Sequence, residues 1–171
     1  MCKRRVPEHI SSWLFDPGSL TRRLQLSCPS PFRVELLGQI YTRPCISERR
    51  ALHLPQDQSA LIRTVVLRCG DMPVVFARTV IPLLTLTGKS RRLAHLGERP
   101  LGAMLFADPE MRRDPLQVAQ IGRGQAIYNS AVSSLNEKPE SIWGRRSVFY
   151  HQQKPLLVSE IFLPTILNCT E

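Results

Sequence analysis

The spacing of apolar positions divides the chain into segments of two periods. Residues 7–15, PEHISSWLF, place apolar side chains at helical spacing ahead of a DPG turn. Ser19 is positioned to cap a second helix, SLTRRLQL, with Leu20, Leu24 and Leu26 turned inward until SCPSP breaks it. FRVELLGQIY then alternates as a half-buried strand, with Phe32, Val34 and Leu36 on one face and Arg33, Glu35 and Gln39 on the other. After a loop containing ERRALHLPQD, the runs ALIRTVVLR and VVFARTVIP flank a Gly-Asp turn and read as a β-hairpin. GKSRRLAHLG is a short helix with Gly97 as its C-cap, and Pro100 opens PLGAMLF as another helical turn. PLQVAQI is a strand, and residues 122–142 read as an insertion with one helical turn. The final stretch, WGRRSVFYHQQKPLLVSEIFLP, is two alternating runs separated by HQQK, a second hairpin. Antiparallel hairpins with helices set early and midway predict an α+β domain built on an antiparallel sheet.

The same alternation singles out three charged residues. Glu160 is in step with Leu156, Val158 and Phe162; Arg63 with Leu61, Val65 and Leu67; Arg78 with Val74, Phe76 and Val80. The expectation is that all three point toward the core side of one sheet. An unpaired buried charge costs several kcal/mol, so such groups must be paired, hydrated or liganded. One reading is an internal salt bridge between Glu160 and an arginine. The other is a ligand pocket, in which surplus guanidinium charge receives a small carboxylic acid and Glu160 meets a hydroxyl or takes a proton. One of Arg145 and Arg146 must also face inward, and the pattern does not say which.

Composition narrows the function classes. At 171 residues, with 43% apolar and 22% charged residues, the chain suits one domain with its own core. No apolar run has the length of a membrane span and the N-terminus lacks a signal-peptide core, so a cytoplasmic protein without stable membrane insertion is expected. Five scattered cysteines (Cys2, Cys28, Cys45, Cys69, Cys169) without a CxxC pair predict reduced thiols, and the dispersed histidines give no metal-ligand spacing. The net charge of +9 sits largely in arginine doublets without interleaved aromatics. That favours a solvated basic surface that attracts small anions over a nucleic-acid site.

ARTVIP, LGERPLGAMLF, WGRRSVF and KPLLVSEIFLP, in that order, resemble the chorismate lyase family of the ubiquinone pathway. GSLTRRL and LIRTVVL fit too, and the resemblance runs from about Trp13 to Pro164. It implies a single domain over residues 1–171, with residues 1–12 as an N-terminal extension. The implied fold is a six-stranded antiparallel sheet carrying an internal ligand cavity under helical flaps. It implies cofactor-independent elimination of pyruvate from chorismate to give 4-hydroxybenzoate, with product inhibition. Beside it stands the expectation, from composition and spacing, of a monomer that binds neither metal nor nucleic acid. By the same resemblance, Arg63 grips the ring carboxylate together with backbone amides at Leu20 and Leu101. Glu160 stands beside the ring hydroxyl, and Arg78 faces the enolpyruvyl carboxylate. The chain has Leu20 where the family commonly has methionine, and its 122–142 segment is longer than the resemblance leads one to expect. The alternative is a non-catalytic effector-sensing domain of the same fold, which would bind small aromatic acids without converting them.

Overall fold

A computed structural model describes residues 5–169 of the chain; Cys2 lies outside them. Its sheet is made of β1 (Phe32–Thr42), β2 (Ala60–Cys69), β3 (Met72–Pro82), β4 (Arg112–Arg113), β5 (Gln117–Gly122), β6 (Ser141–His151) and β7 (Lys154–Phe162). Every pairing is antiparallel, in the order β1-β2-β3-β7-β6-β4. The short β4 and β5 lie end to end along one edge of β6, opposite Phe149–Tyr150 and Ser141–Arg146 respectively. Seven strands therefore occupy six positions. The α+β class with an antiparallel sheet is as the pattern predicted.

Helices cover both faces. On one face lie α1 (Glu8–Leu14), α2 (Leu20–Ser27), a 3₁₀ segment Gly88–His95 and α4 (Leu101–Phe106). Trp13, Leu14, Leu20 and Leu24 pack on Val65, Leu67 and Phe162, while Leu93, Leu101 and Leu105 pack on Leu61, Ile81 and Phe149. The other face carries α3 (Ile46–Leu52) and α5 (Ala126–Ala131), with Leu52 against Ile62 and Val80, and Tyr128 against Phe76 and Ile161. A sheet buried on both sides gives strands that are apolar nearly throughout, as β2 and β3 are.

Several local expectations are corrected. Ser19 does cap α2, its Oγ accepting from the Arg22 N–H at 3.3 Å, but Leu26 points outward and is 79% exposed. The segment read as a loop at 46–52 is α3. Its start is a capping box in which the Glu48 carboxylate accepts from the Cys45 N–H at 3.0 Å, with cysteine standing where serine or threonine is usual. Gln39 shares a face with Arg63, because an irregularity between Leu36 and Gly38 reverses the alternation midway along β1. The cysteines are not all free thiols. Cys28, the C-cap of α2, is disulfide-bonded to Cys69 at the end of β2, and Cys169 Sγ lies 3.3 Å from Cys69 Sγ. The three meet across sequence separations of 41 and 100 residues, so spacing along the chain carried no sign of it.

The tip of the β6–β7 hairpin is tied to the helical layer. Ser90 Oγ and His151 Nδ1 are 2.9 Å apart, and Asp108 accepts from the Gln152 and Glu110 N–H groups at 2.9 and 3.0 Å. Burial holds the His151 pKa below its ordinary value; the Asp108 carboxylate opposes that, and Lys154 and Arg92 reinforce it. The unfolded chain thus takes up this proton more readily than the folded one. The stabilisation is complete above the unfolded value of about 6.5 and is lost as pH falls below it. Thermal melts should show the midpoint dropping from pH 7.5 to 5, with a shallower drop in His151→Asn; equal slopes would remove His151 as the cause.

Candidate active site

The face beneath α2 and α4 contains a narrow, partly open pocket of about 50 Å³, room for a few waters. Arg63, Thr79, Arg113, Arg145, Phe149 and Glu160 contribute to its lining from the sheet side, and Leu20, Thr21, Leu101 and Gly102 from the helices. Cross-strand pairing puts these sheet residues on one face: Arg63 opposes Thr79, Thr79 opposes Val158, and Glu160 opposes both Ala77 and Arg145. α2 and α4 begin against each other here. A Cβ on Gly102 would lie 2.9 Å from Thr21 Oγ1, so any larger residue would force the Thr21 side chain to shift where the two helix starts meet. Leu20 and Leu101, the first residues of these helices, are both buried, and N–H groups of a first turn have no partner within their own helix.

Arg63 is 2% exposed, yet among the described residues no carboxylate lies within 4 Å of it. Its Nη2 donates to the Gly97 and Arg99 carbonyls at 3.0 Å each, and its buried Nε has no partner. Burial pushes its pKa below the usual arginine value. Glu160 is paired: Arg145 Nε donates to its Oε2 at 2.6 Å. Arg145 also donates through Nη1 to the Trp13 carbonyl at 3.0 Å and the Asp16 carbonyl at 2.7 Å, fastening the α1–α2 connection to the sheet. Arg145, not Arg146, is the inward member of its doublet. Arg146 lies on the opposite face, with Ser47 and Gln117.

Arg78 is not on this face. Its guanidinium forms a pair of bonds with Glu48 at 2.6 and 3.1 Å, lining an open hollow of about 720 Å³ on the other side of the sheet. Burial pushes the Glu48 pKa up, but the hydrogen bonds and charge of Arg78, with the Cys45 N–H, outweigh it and hold the carboxylate below its ordinary range. The cause of the misplacement is one extra residue. The turn aligns Cys69 with Met72 and Arg68 with Pro73, but Leu67 then aligns with Val75, leaving Val74 as a bulge. An unbroken ladder from that turn would oppose Arg63 to Arg78. The bulge opposes Arg63 to Thr79 and sends Arg78 to the far face.

Of the residues expected at the site, the structure thus brings together Arg63, Glu160, Leu20 and Leu101. A family model described as Chorismate lyase matches residues 4–170. The chain belongs to the chorismate lyase family. A probable chorismate pyruvate-lyase from Aromatoleum aromaticum is 44% identical over 166 residues, covering 96% of this chain and 89% of that protein. A second, from Methylococcus capsulatus, is 41% identical and covers 95% of this chain and 99% of its own. Among solved structures, PhnF from Mycobacterium smegmatis superposes with a TM-score of 0.59 at 13% identity, over 88% of this chain and 65% of that one. The ligand-binding domain of a putative GntR-family regulator from Bordetella bronchiseptica gives 0.57 at 17%, over 79% and 86%. At such identities the likeness is one of fold. In this chorismate lyase family chain, the sequence reading left Arg145 undecided and grouped Arg113 with the solvated doublets. Placing Arg145 required the inward face of Trp143 and Ser147, which only the pairing with β7 fixes; Arg113 sits in a two-residue strand too short to show any period.

Proposed function

We propose that the protein eliminates pyruvate from chorismate to give 4-hydroxybenzoate, the ring acid that feeds ubiquinone synthesis, without a metal or organic cofactor. The observation that carries this reading is Arg63, a buried guanidinium on the pocket wall with an unpartnered Nε and, among the described residues, no carboxylate within 4 Å. Planar, bidentate recognition of a carboxylate suits such a group, and it would take the ring carboxylate of the ligand. The helix starts at Leu20 and Leu101 add backbone N–H donors to the same end. Glu160, fixed by Arg145, would accept a hydrogen bond from the 4-hydroxyl and receive the proton leaving C4. As that C–H bond breaks, its electron pair becomes the C3=C4 π bond that completes the aromatic ring, and the C3–O pair leaves on the ether oxygen of enolpyruvate, which takes up a proton and becomes pyruvate. With α2 and α4 drawn over it, this largely apolar pocket would hold the ring in one pose and keep water out.

The narrowness of the cavity requires α2 and α4 to move for a ring acid to pass, which favours slow release and inhibition by product. The direct test is to incubate purified, metal-free protein with chorismate and quantify both products. Equal amounts of 4-hydroxybenzoate and pyruvate are expected; binding of 4-hydroxybenzoate without conversion of chorismate would instead favour the effector-sensing alternative.

A further inference from the structure

Three guanidiniums and one carboxylate line the cavity: Arg63, Arg113, Arg145 and Glu160. Arg145 and Glu160 answer each other at 2.6 Å, and Arg63 has the ring carboxylate in the reading above. Arg113 is left over. Among the described residues no carboxylate lies within 4 Å of it either. It is nevertheless well held: Nε donates to Ser147 Oγ at 2.7 Å, Nη1 to the Pro17 carbonyl at 3.4 Å, and the guanidinium lies 4.6 Å from the centre of the Phe149 ring. A cation fixed this firmly beside a cavity, without a counter-ion, is a subsite for a second anion.

The structure assigns to Arg113 the binding of the substrate's second carboxylate, the one on the enolpyruvyl side chain; this rests on the chorismate reading above. The order of groups across the sheet supports it. Arg63 is on β2, Glu160 on β7, Arg145 on β6 and Arg113 on β4, so the Glu160–Arg145 pair lies between the other two cations. Chorismate can be laid along this line. Its ring carboxylate is at one end, its 4-hydroxyl at the opposite end, and its enolpyruvyl ether branches from C3, next to the hydroxyl-bearing carbon. With the ring carboxylate at Arg63 and the hydroxyl at Glu160, one of the two ways of turning the ring about that axis brings the side chain past Glu160 to Arg113. Burial and the neighbouring Arg145 charge push the Arg113 pKa down, partly offset by Glu160 and Asp16, so an arriving carboxylate relieves a repulsion already present. When the C3–O bond breaks, the ether oxygen takes the bonding pair and the departing fragment becomes an enolate conjugated with that carboxylate. A guanidinium on the carboxylate therefore stabilises the leaving group as well as the ground state. The product 4-hydroxybenzoate has no second carboxylate and makes no demand on Arg113.

Arg113→Gln separates these roles. Its kcat/KM for chorismate should fall by about 10- to 100-fold, the size of a lost charge-assisted contact, while 4-hydroxybenzoate affinity by calorimetry stays within about twofold. The Arg113→Lys variant should recover part of the loss. A chorismate analogue whose side-chain carboxylate is esterified should be handled almost equally by wild type and Arg113→Gln. Unchanged chorismate kinetics in Arg113→Gln would overturn the assignment. So would an equal loss of 4-hydroxybenzoate affinity, which would mark Arg113 as a structural tie between Ser147 and Pro17. If the wild-type protein converts no chorismate, the reaction falls, and Arg113 is then judged by chorismate binding alone: a loss in Arg113→Gln that spares 4-hydroxybenzoate sustains the subsite, and equal binding refutes it.

Discussion

Glu160→Gln should lower chorismate turnover by about 100- to 10,000-fold, the range for removing a positioned general base. Glutamine keeps the side-chain length and an acceptor oxygen for Arg145 Nε, which now approaches Glu160 at 2.6 Å. Arg145 also keeps its bonds to the Trp13 and Asp16 carbonyls, so the wall should hold its shape. 4-Hydroxybenzoate should accordingly still bind, within about tenfold of wild type, because only one charge-assisted contact is weakened. The split between rate and affinity is the informative result. A variant with normal turnover would dismiss Glu160 as the proton acceptor, and one that loses both together would mean that the cavity had been damaged.

Arg63→Met should weaken 4-hydroxybenzoate binding by at least about 100-fold, as expected when one member of a buried, hydrogen-bonded charge pair is cut away. Methionine roughly preserves the aliphatic bulk while removing a cation that is 2% exposed and has no carboxylate within 4 Å among the described residues. Burying that charge is unfavourable, and the bonds to the Gly97 and Arg99 carbonyls offset the penalty only in part. The ligand-free variant should therefore melt no lower than wild type, yet gain no increase in Tm on adding 4-hydroxybenzoate. A destabilised variant that still shows the full ligand-induced rise would refute a carboxylate grip by Arg63. The combination expected, stability kept and binding lost, is what a residue retained for its ligand produces.

The sequence made much of this fold legible because its two long hairpins are runs of strand-forming residues joined by short turns. The inward positions of Arg63 and Glu160 followed from alternation alone. Arg78 did not, and the reason is physical. Alternation separates the two faces of a strand but does not say which face of one strand continues which face of the next, and here both faces are buried, so neither is marked by polar residues. The register decides, and Val74 shifts it. α3 was missed because its N-cap is a cysteine, and the Cys28–Cys69 bond because nothing local requires it. Arg145 needed the pairing of β6 with β7, while Arg113 needed the whole sheet, since β4 has only two residues.

The Val74 bulge also constrains how relatives of this chain can change length. Losing that residue would swap the sides of Met72 and Pro73 at the hairpin tip, or else exchange the side chains of β3 from Val75 to Pro82 between the two layers, carrying Arg78 into the chamber and Thr79 out of it. Insertions or deletions in this arm should survive selection in pairs, one residue compensated by another, whereas a solitary indel would rewire which compartment holds which charge.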